Sequence, residues 1–215
     1  MKVYLIRHGE TIWNSKGKLQ GRVDIPLSKE GIEQARLTAE GMKDIPFDHA
    51  FTSPLKRSFV TTQIIVGDRG LEINRDPRLM EICFGIYEGR RTRRMLRDPR
   101  YPRIQRLFKD PARYRAPRHG ESLYAVSERV MEFYREQVLP LEGKREHVMV
   151  AGHGGILHGL IYQLQGQDIS HFWSSPFGAN CSAAILEVKD GKTTILKENA
   201  VFYETDKVNW SWEVY

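Results

Sequence analysis

The stretch HVMVAGHGG, residues 147–155, passes directly from a strand-like run into a helix-like one. His147 to Ala151 is apolar and rich in valine, the composition of a strand covered on both faces. Gly154 and Gly155 then open a helical pattern that continues through Leu164. A doubly covered strand that turns at once into a helix is the building unit of a parallel sheet. The remainder of the chain is therefore read for more such units.

Outward from that stretch the units recur. Lys2 to Arg7 reads as a short buried strand ended by Gly9, and Ser28 caps a helix over Lys29 to Met42 with Ile32, Ala35, Leu37, Ala39 and Met42 on its apolar face. His49 to Ser53 is a second strand, and Pro54 suits the first turn of a helix over Leu55 to Val66. Leu71 to Arg75 is a weaker strand. Ser122 to Val138 is amphipathic through Leu123, Val126, Val130, Phe133 and Val138. Ser182 to Val188 and Thr193 to Glu198 flank Lys189-Asp190-Gly191-Lys192 as a hairpin. The expected fold is α/β: a three-layer α/β/α sandwich with a mostly parallel sheet and an antiparallel hairpin near the C-terminus. One domain is expected over residues 1–215, with a basic cap inserted at about 86–120.

Composition narrows the function classes. Of 215 residues 40% are hydrophobic and 28% charged, as in ordinary globular proteins. Val3 to Ile6 is too short an apolar run for a signal peptide or a membrane span, and two cysteines suggest reduced thiols, so a cytoplasmic protein is expected. The net charge of +6 is unevenly placed. Arg90 to Arg118 holds eleven arginines and one lysine against two aspartates, a local +10 that leaves −4 for the rest.

In open α/β sheets ligands collect beyond the carboxyl ends of the strands. Arg7-His8-Gly9, Ser53 to Arg57 and Gly152 to Gly155 all stand at such ends, and Arg78 to Ile82 follows the weaker strand. Two arginines, two histidines and one glutamate gathered there suit phosphoryl transfer. Arg7 and Arg57 offer planar forks to phosphate oxygens, and the amides of Gly154 and Gly155 open a helix with favourable dipole sign. A neutral imidazole is a competent nucleophile near pH 7, and Glu81 is placed to protonate a leaving alkoxide and then deprotonate water. With arginines supplying the positive charge, neither a metal nor another cofactor is required. His158 follows His153 at an interval that does not stack two metal ligands on one helix face. His49, His119, His147 and His171 read as structural or surface residues.

These segments resemble the histidine phosphatase superfamily, which includes cofactor-dependent phosphoglycerate mutases and many small phosphatases. RHGETIWN (7–14), LQG (19–21), TSPLKRS (52–58), RLMEICFGIYEG (78–89) and AGHGG (151–155) carry the resemblance, which runs from Lys2 to about Cys181. It implies a phosphoglycerate mutase-like fold, with His8 the phosphorylated nucleophile and Glu81 the acid. It further implies that Arg7, Asn14, Arg57, His153 and Gly154 bind phosphate, and that Gln20 and Gly21 line the substrate side.

The run EICFGIYEGRRTRRM and the helix start HGESLYAVSERV are closer to the small phosphatases than to the mutases. The expected activity is thus hydrolysis of a small phosphorylated metabolite through a phosphohistidine, with mutase-type transfer as the alternative. Within the basic cap, Arg93 and Arg94 are expected to favour a substrate with extra negative charge. The competing reading is a solvated helical cap in which Met95, Leu96, Ile104, Leu107 and Phe108 pack inward. Nucleic-acid binding by the same run is not favoured, because Tyr101, Phe108 and Tyr114 do not alternate with the arginines as a stacking platform requires. No membrane partner is expected, and the aromatic tail Val208 to Tyr215 is expected to pack on its own domain or to join a homodimer.

Overall fold

Strand β1 (Lys2–Arg7) buries both of its faces, with Val3 and Leu5 in one apolar cluster and Tyr4 and Ile6 in another. That division organises the molecule, for which the computed structural model describes residues 1–203. The chain continues through helix α1 (Lys29–Gly41), strand β2 (His49–Thr52), helix α2 (Lys56–Val66) and strand β3 (Ile73–Arg75). Short helices α3 (Thr92–Arg97) and α4 (Pro102–Lys109) follow, then α5 (Leu123–Phe133), β4 (His147–Gly152), α6 (Gly154–Leu164), β5 (Ala183–Lys189) and β6 (Lys192–Ala200). The single sheet has the order β3-β2-β4-β1-β5-β6. The first four strands in that order are mutually parallel, β5 adds antiparallel to β1, and β6 pairs antiparallel with β5 at the edge. Residues of α1 and α2 pack on one face and those of α5 and α6 on the other, giving the three-layer sandwich. No helix among the described residues is long and apolar enough to cross a membrane.

Register brings the strand ends level. Arg7 pairs with Gly152 and Thr52 with Ala151, so His8, Ser53 and His153 are the first residues past three adjacent parallel strands. The ladder continues past them, through His8 N–H to Gly152 O at 3.0 Å and Ser53 N–H to Ala151 O at 3.1 Å.

Several local readings need correction. Pro54 precedes the N-cap Leu55 and stands outside α2, because Leu55 still has extended backbone. The weaker strand is limited to three residues, Ile73–Arg75. Helix α5 keeps α geometry to Phe133 and then widens into a π turn over Tyr134–Val138. On α1 the buried face is Gly31, Gln34, Ala35 and Thr38, while Ile32, Leu37 and Ala39 are half-buried. The face is polar because it holds a loop, with Gln34 Oε1 accepting the Glu10 N–H at 2.9 Å. Gly31 meets that loop so closely that a Cβ there would overlap the Glu10 backbone.

The hairpin turn places Asp190 and Gly191 at φ of 52° and 71°, the left-handed pair that a two-residue turn requires. The basic cap leaves the body at Phe84 and returns at Gly120, which form a bridge, and Glu121 N–H closes its base on Cys83 O at 2.8 Å. Within it Met95, Ile104 and Leu107 are buried, while Arg91, Arg93, Arg94, Arg97 and Arg100 are exposed. The tail from Val208 to Tyr215 lies outside the described residues.

Candidate active site

A cavity of about 370 Å³ opens beyond the carboxyl ends of β1 and β4. Arg7, His8, Asn14, Gln20, Glu81 and Gly154 line it, six of the residues singled out from sequence. Arg57 and His153 are fully buried and stand behind that lining, with the His153 ring centroid 5.0 Å from that of His8. Gly21 lies off the lining and contributes its carbonyl to Arg57. Arg93 and Arg94 are not brought to this cavity. They line a separate surface cleft with Lys16, Arg91 and Arg97, because the inward face of α3 is taken by the buried Thr92 and Met95.

The hydrogen bonds assign the histidine protons. His8 Nδ1 lies 2.7 Å from the carbonyl oxygen of Gly9, which can only accept, so Nδ1 carries the proton and Nε2 keeps the lone pair. His153 Nδ1 accepts from Arg57 Nε at 3.1 Å, so its proton sits on Nε2, 2.8 Å from Ser53 Oγ. Burial, then the charges of Arg57 and Arg7, push the His8 pKa well below its ordinary value. Burial and Arg57 do the same to His153. Both rings are therefore neutral at pH 7.

Arg57 is lowered to about 10 by burial, yet remains a cation at neutral pH. Its Nη1 and Nη2 donate to Val23 O at 3.0 Å and Gly21 O at 2.7 Å. Thr11 has one hydroxyl proton, given to Asn14 Oδ1 at 2.9 Å. The Gln20 amide is then satisfied with its nitrogen 2.6 Å from Thr11 Oγ1 and its oxygen 3.0 Å from both Nε and Nη1 of Arg57. Gln20 and Gly21 thus hold Arg57. Arg7 donates through Nη1 to Gly178 O, while its buried Nε has no partner among the described residues. A guanidinium is a strong donor to anionic oxygens, and Arg7 is one of the two cationic side chains among the described residues that line the cavity.

Glu81 occupies the N-terminus of α6. Its Oε1 accepts from Ile82 N–H at 2.8 Å and Ile156 N–H at 3.1 Å, and its Oε2 from Gly155 N–H at 3.0 Å. Sequence reading offered the Gly155 amide to a ligand, but Glu81 takes it. Burial raises the Glu81 pKa, and the Ile82 and Gly155 donors oppose the rise without cancelling it. Arg129 steadies the segment, donating to the carbonyl of Glu81 at 3.3 Å and to Glu121 at 2.8 and 3.0 Å. Thr11 and Arg129 were given no role from sequence, and Ser53 none beyond its place at a strand end, because each acts through a neighbour.

A lone-pair nitrogen, an arginine N–H without a partner among the described residues and a buried carboxyl meet around one cavity, a set whose chemistry suits phosphoryl transfer. Comparison with known proteins gives the family: the model of the histidine phosphatase superfamily (branch 1) matches residues 3–201, and the chain belongs to that superfamily. Phosphoserine phosphatase 1 of Hydrogenobacter thermophilus is 32% identical over 93% of this chain and 92% of its own. A phosphoglycerate mutase of Schizosaccharomyces pombe is 37% identical over 75% of this chain and 78% of its own. The solved structure of Bacillus stearothermophilus YhfR superposes with a TM-score of 0.85 at 30% identity, covering 94% of this chain and 99% of that one. The protein is an enzyme of the phosphatase and phosphoglycerate mutase group.

Proposed function

We propose that the chain is a metal-independent cytoplasmic phosphomonoesterase that works through a phosphohistidine at His8. The Nε2 lone pair attacks phosphorus, the bond to the ester oxygen breaks, and Glu81 transfers its proton to the departing alkoxide. In the second half Glu81, now a carboxylate, takes a proton from water as that water attacks the phosphohistidine. Phosphate leaves and Nε2 regains its lone pair. Arg7 Nε, Asn14 and Gly154 hold the phosphoryl oxygens at the cavity wall, and the buried charge of Arg57 stabilises the trigonal phosphoryl from behind, with His153.

The observation that carries this reading is the proton assignment at His8. Its Nδ1 is committed to Gly9 O at 2.7 Å, which leaves Nε2 as the nucleophile. Hydrolysis is preferred over mutase transfer because, among the described residues, Lys18 is the one cation on the lining besides Arg7. A bound phosphoglycerate must have its carboxylate and its phosphate neutralised together.

The test is a screen of phosphomonoesters with a chelator present, paired with quenching in alkaline detergent to trap a phosphoenzyme. Chelator-resistant turnover and a base-stable, acid-labile label are expected, both absent in His8→Ala. Turnover that survives His8→Ala would refute the mechanism.

A further inference from the structure

The cavity lining carries two chemistries. Besides Arg7, His8 and Glu81 it has an aromatic and apolar wall made by Leu19, Phe84, Phe108, His158, Trp173 and Phe177, with His158 near enough to Arg7 to feel its charge. The rings are packed on one another: His158 lies 5.0 Å from Trp173 and 6.0 Å from Phe177, and Phe108 lies 5.3 Å from Trp173, measured between centroids. The Trp173 indole N–H donates to Leu107 O at 2.7 Å, which uses the residue's polar group and fastens the wall to α4. What Trp173 offers the cavity is therefore apolar.

His158 is the one nitrogen-bearing ring in this wall besides Trp173. It is only 8% exposed, and its Nδ1 has no partner among the described residues. Burial lowers its pKa to about 4, so at pH 7 it is an uncharged hydrogen-bonding ring rather than a second anion seat. The remaining charge on the lining is Lys18, whose ammonium lies over the Trp13 ring, 5.3 Å from its centroid.

We propose that this wall is the leaving-group subsite, and that it selects phosphomonoesters of uncharged alcohols bearing a flat aromatic or heteroaromatic ring. Esters of short acidic alcohols are disfavoured, since their carboxylate must be desolvated against aromatic rings. The proposal rests on the phosphomonoesterase reading and adds to it the class of alcohol. Stacked or edge-on contact with Trp173 and Phe177 supplies the rest of the binding.

The experiment has two arms. In the first, kcat/KM of the full chain is compared for benzyl phosphate, glycerol phosphate and phosphoglycerate, all of which release alkoxides. In the second, calorimetry compares benzylphosphonate with methylphosphonate, which needs no turnover. A preference of at least about tenfold for the benzyl compound is expected in both arms. Trp173→Leu and Phe177→Leu are each expected to shrink it to about threefold or less, through KM more than kcat.

Equal kcat/KM across the esters, with turnover still lost in His8→Ala, overturns the subsite and leaves the phosphatase reading standing. Turnover of every ester that is independent of His8 overturns the phosphatase reading. In that event the phosphonate ratio judges the wall by itself, and a ratio near one overturns it too.

Discussion

Replacing Glu81 with glutamine removes the transferable proton and leaves the side chain's shape. The structural cost follows from its three hydrogen bonds. The best amide orientation keeps the oxygen at Oε1, which receives Ile82 and Ile156, and sets the new NH2 against the Gly155 N–H. One bond is lost and two donors face each other, a cost of ~1–3 kcal/mol. Relief of a buried carboxylate, whose pKa burial raises, offsets part of it. For a chain of this size the melting temperature should fall by no more than about 10 °C.

The catalytic cost is larger and depends on the leaving group. Loss of a general acid is worth ~10²–10⁴-fold in rate, about 3–5 kcal/mol of barrier. That holds only where the departing oxygen needs a proton. Glu81→Gln should therefore lose two to four decades of kcat/KM on benzyl phosphate, and at least about tenfold less on para-nitrophenyl phosphate, whose anion leaves unaided. Steady-state kinetics on both esters, at a temperature where circular dichroism shows the variant folded, makes the comparison. Equal losses on the two esters would refute the role assigned to Glu81, because a merely structural effect does not distinguish leaving groups.

Three further outcomes follow from the same geometry. Arg93→Ala and Arg94→Ala, which line a cleft apart from the cavity, should change kcat/KM on small esters by less than about twofold, and a tenfold loss would place them at the site after all. Gly31→Ala should cost ~2–3 kcal/mol in a denaturant melt and lower kcat as well, since its Cβ meets the Glu10 backbone, with Glu10 N at 2.7 Å, and displaces the loop that carries His8. His158 binds its proton near 6.5 when unfolded but near 4 when folded, so the unfolded state is favoured as pH falls through that window. The loss approaches ~3 kcal/mol at the lower end, and His158→Leu should flatten the fall of melting temperature between pH 6.5 and 4.

The strand–helix units were legible because burial on both faces leaves an unbroken apolar run, as in His147 to Ala151 and Val3 to Ile6. The residues past the strand ends were legible for a related reason. A sheet whose parallel strands end level must deliver His8, Ser53 and His153 to one place, whatever surrounds them. Less visible was the polarity of the inner face of α1. Gln34 and Thr38 are buried there because the helix holds the loop around Glu10, a tertiary demand that periodicity does not register. The Gly155 amide was misread in the same way, since only the fold shows that Glu81, far away in the chain, arrives to fill it.

The arginine-rich cap shows why charge density in a sequence is a poor guide to where charge acts. Its +10 is carried by short helices whose few apolar positions, Met95, Ile104 and Leu107, claim the inward face and turn the guanidinium groups outward. Arg100 is neutralised at once by Asp98 at 2.7 Å, and several others face water, where screening confines their influence to about a Debye length. The arginine that acts on the two site histidines is instead Arg57, in an ordinary-looking helix and wholly buried, where its charge adds to the effect of burial in lowering both His8 and His153. His158 completes the contrast. Nothing in its spacing from His153 signals a role, because the wall it joins is assembled from Leu19, Phe84, α4, α6 and the loop bearing Trp173 and Phe177, each contributing one or two side chains. A subsite built one side chain at a time leaves no local pattern, so the reaction can be read from the chain while the alcohol it acts upon has to be read from the cavity.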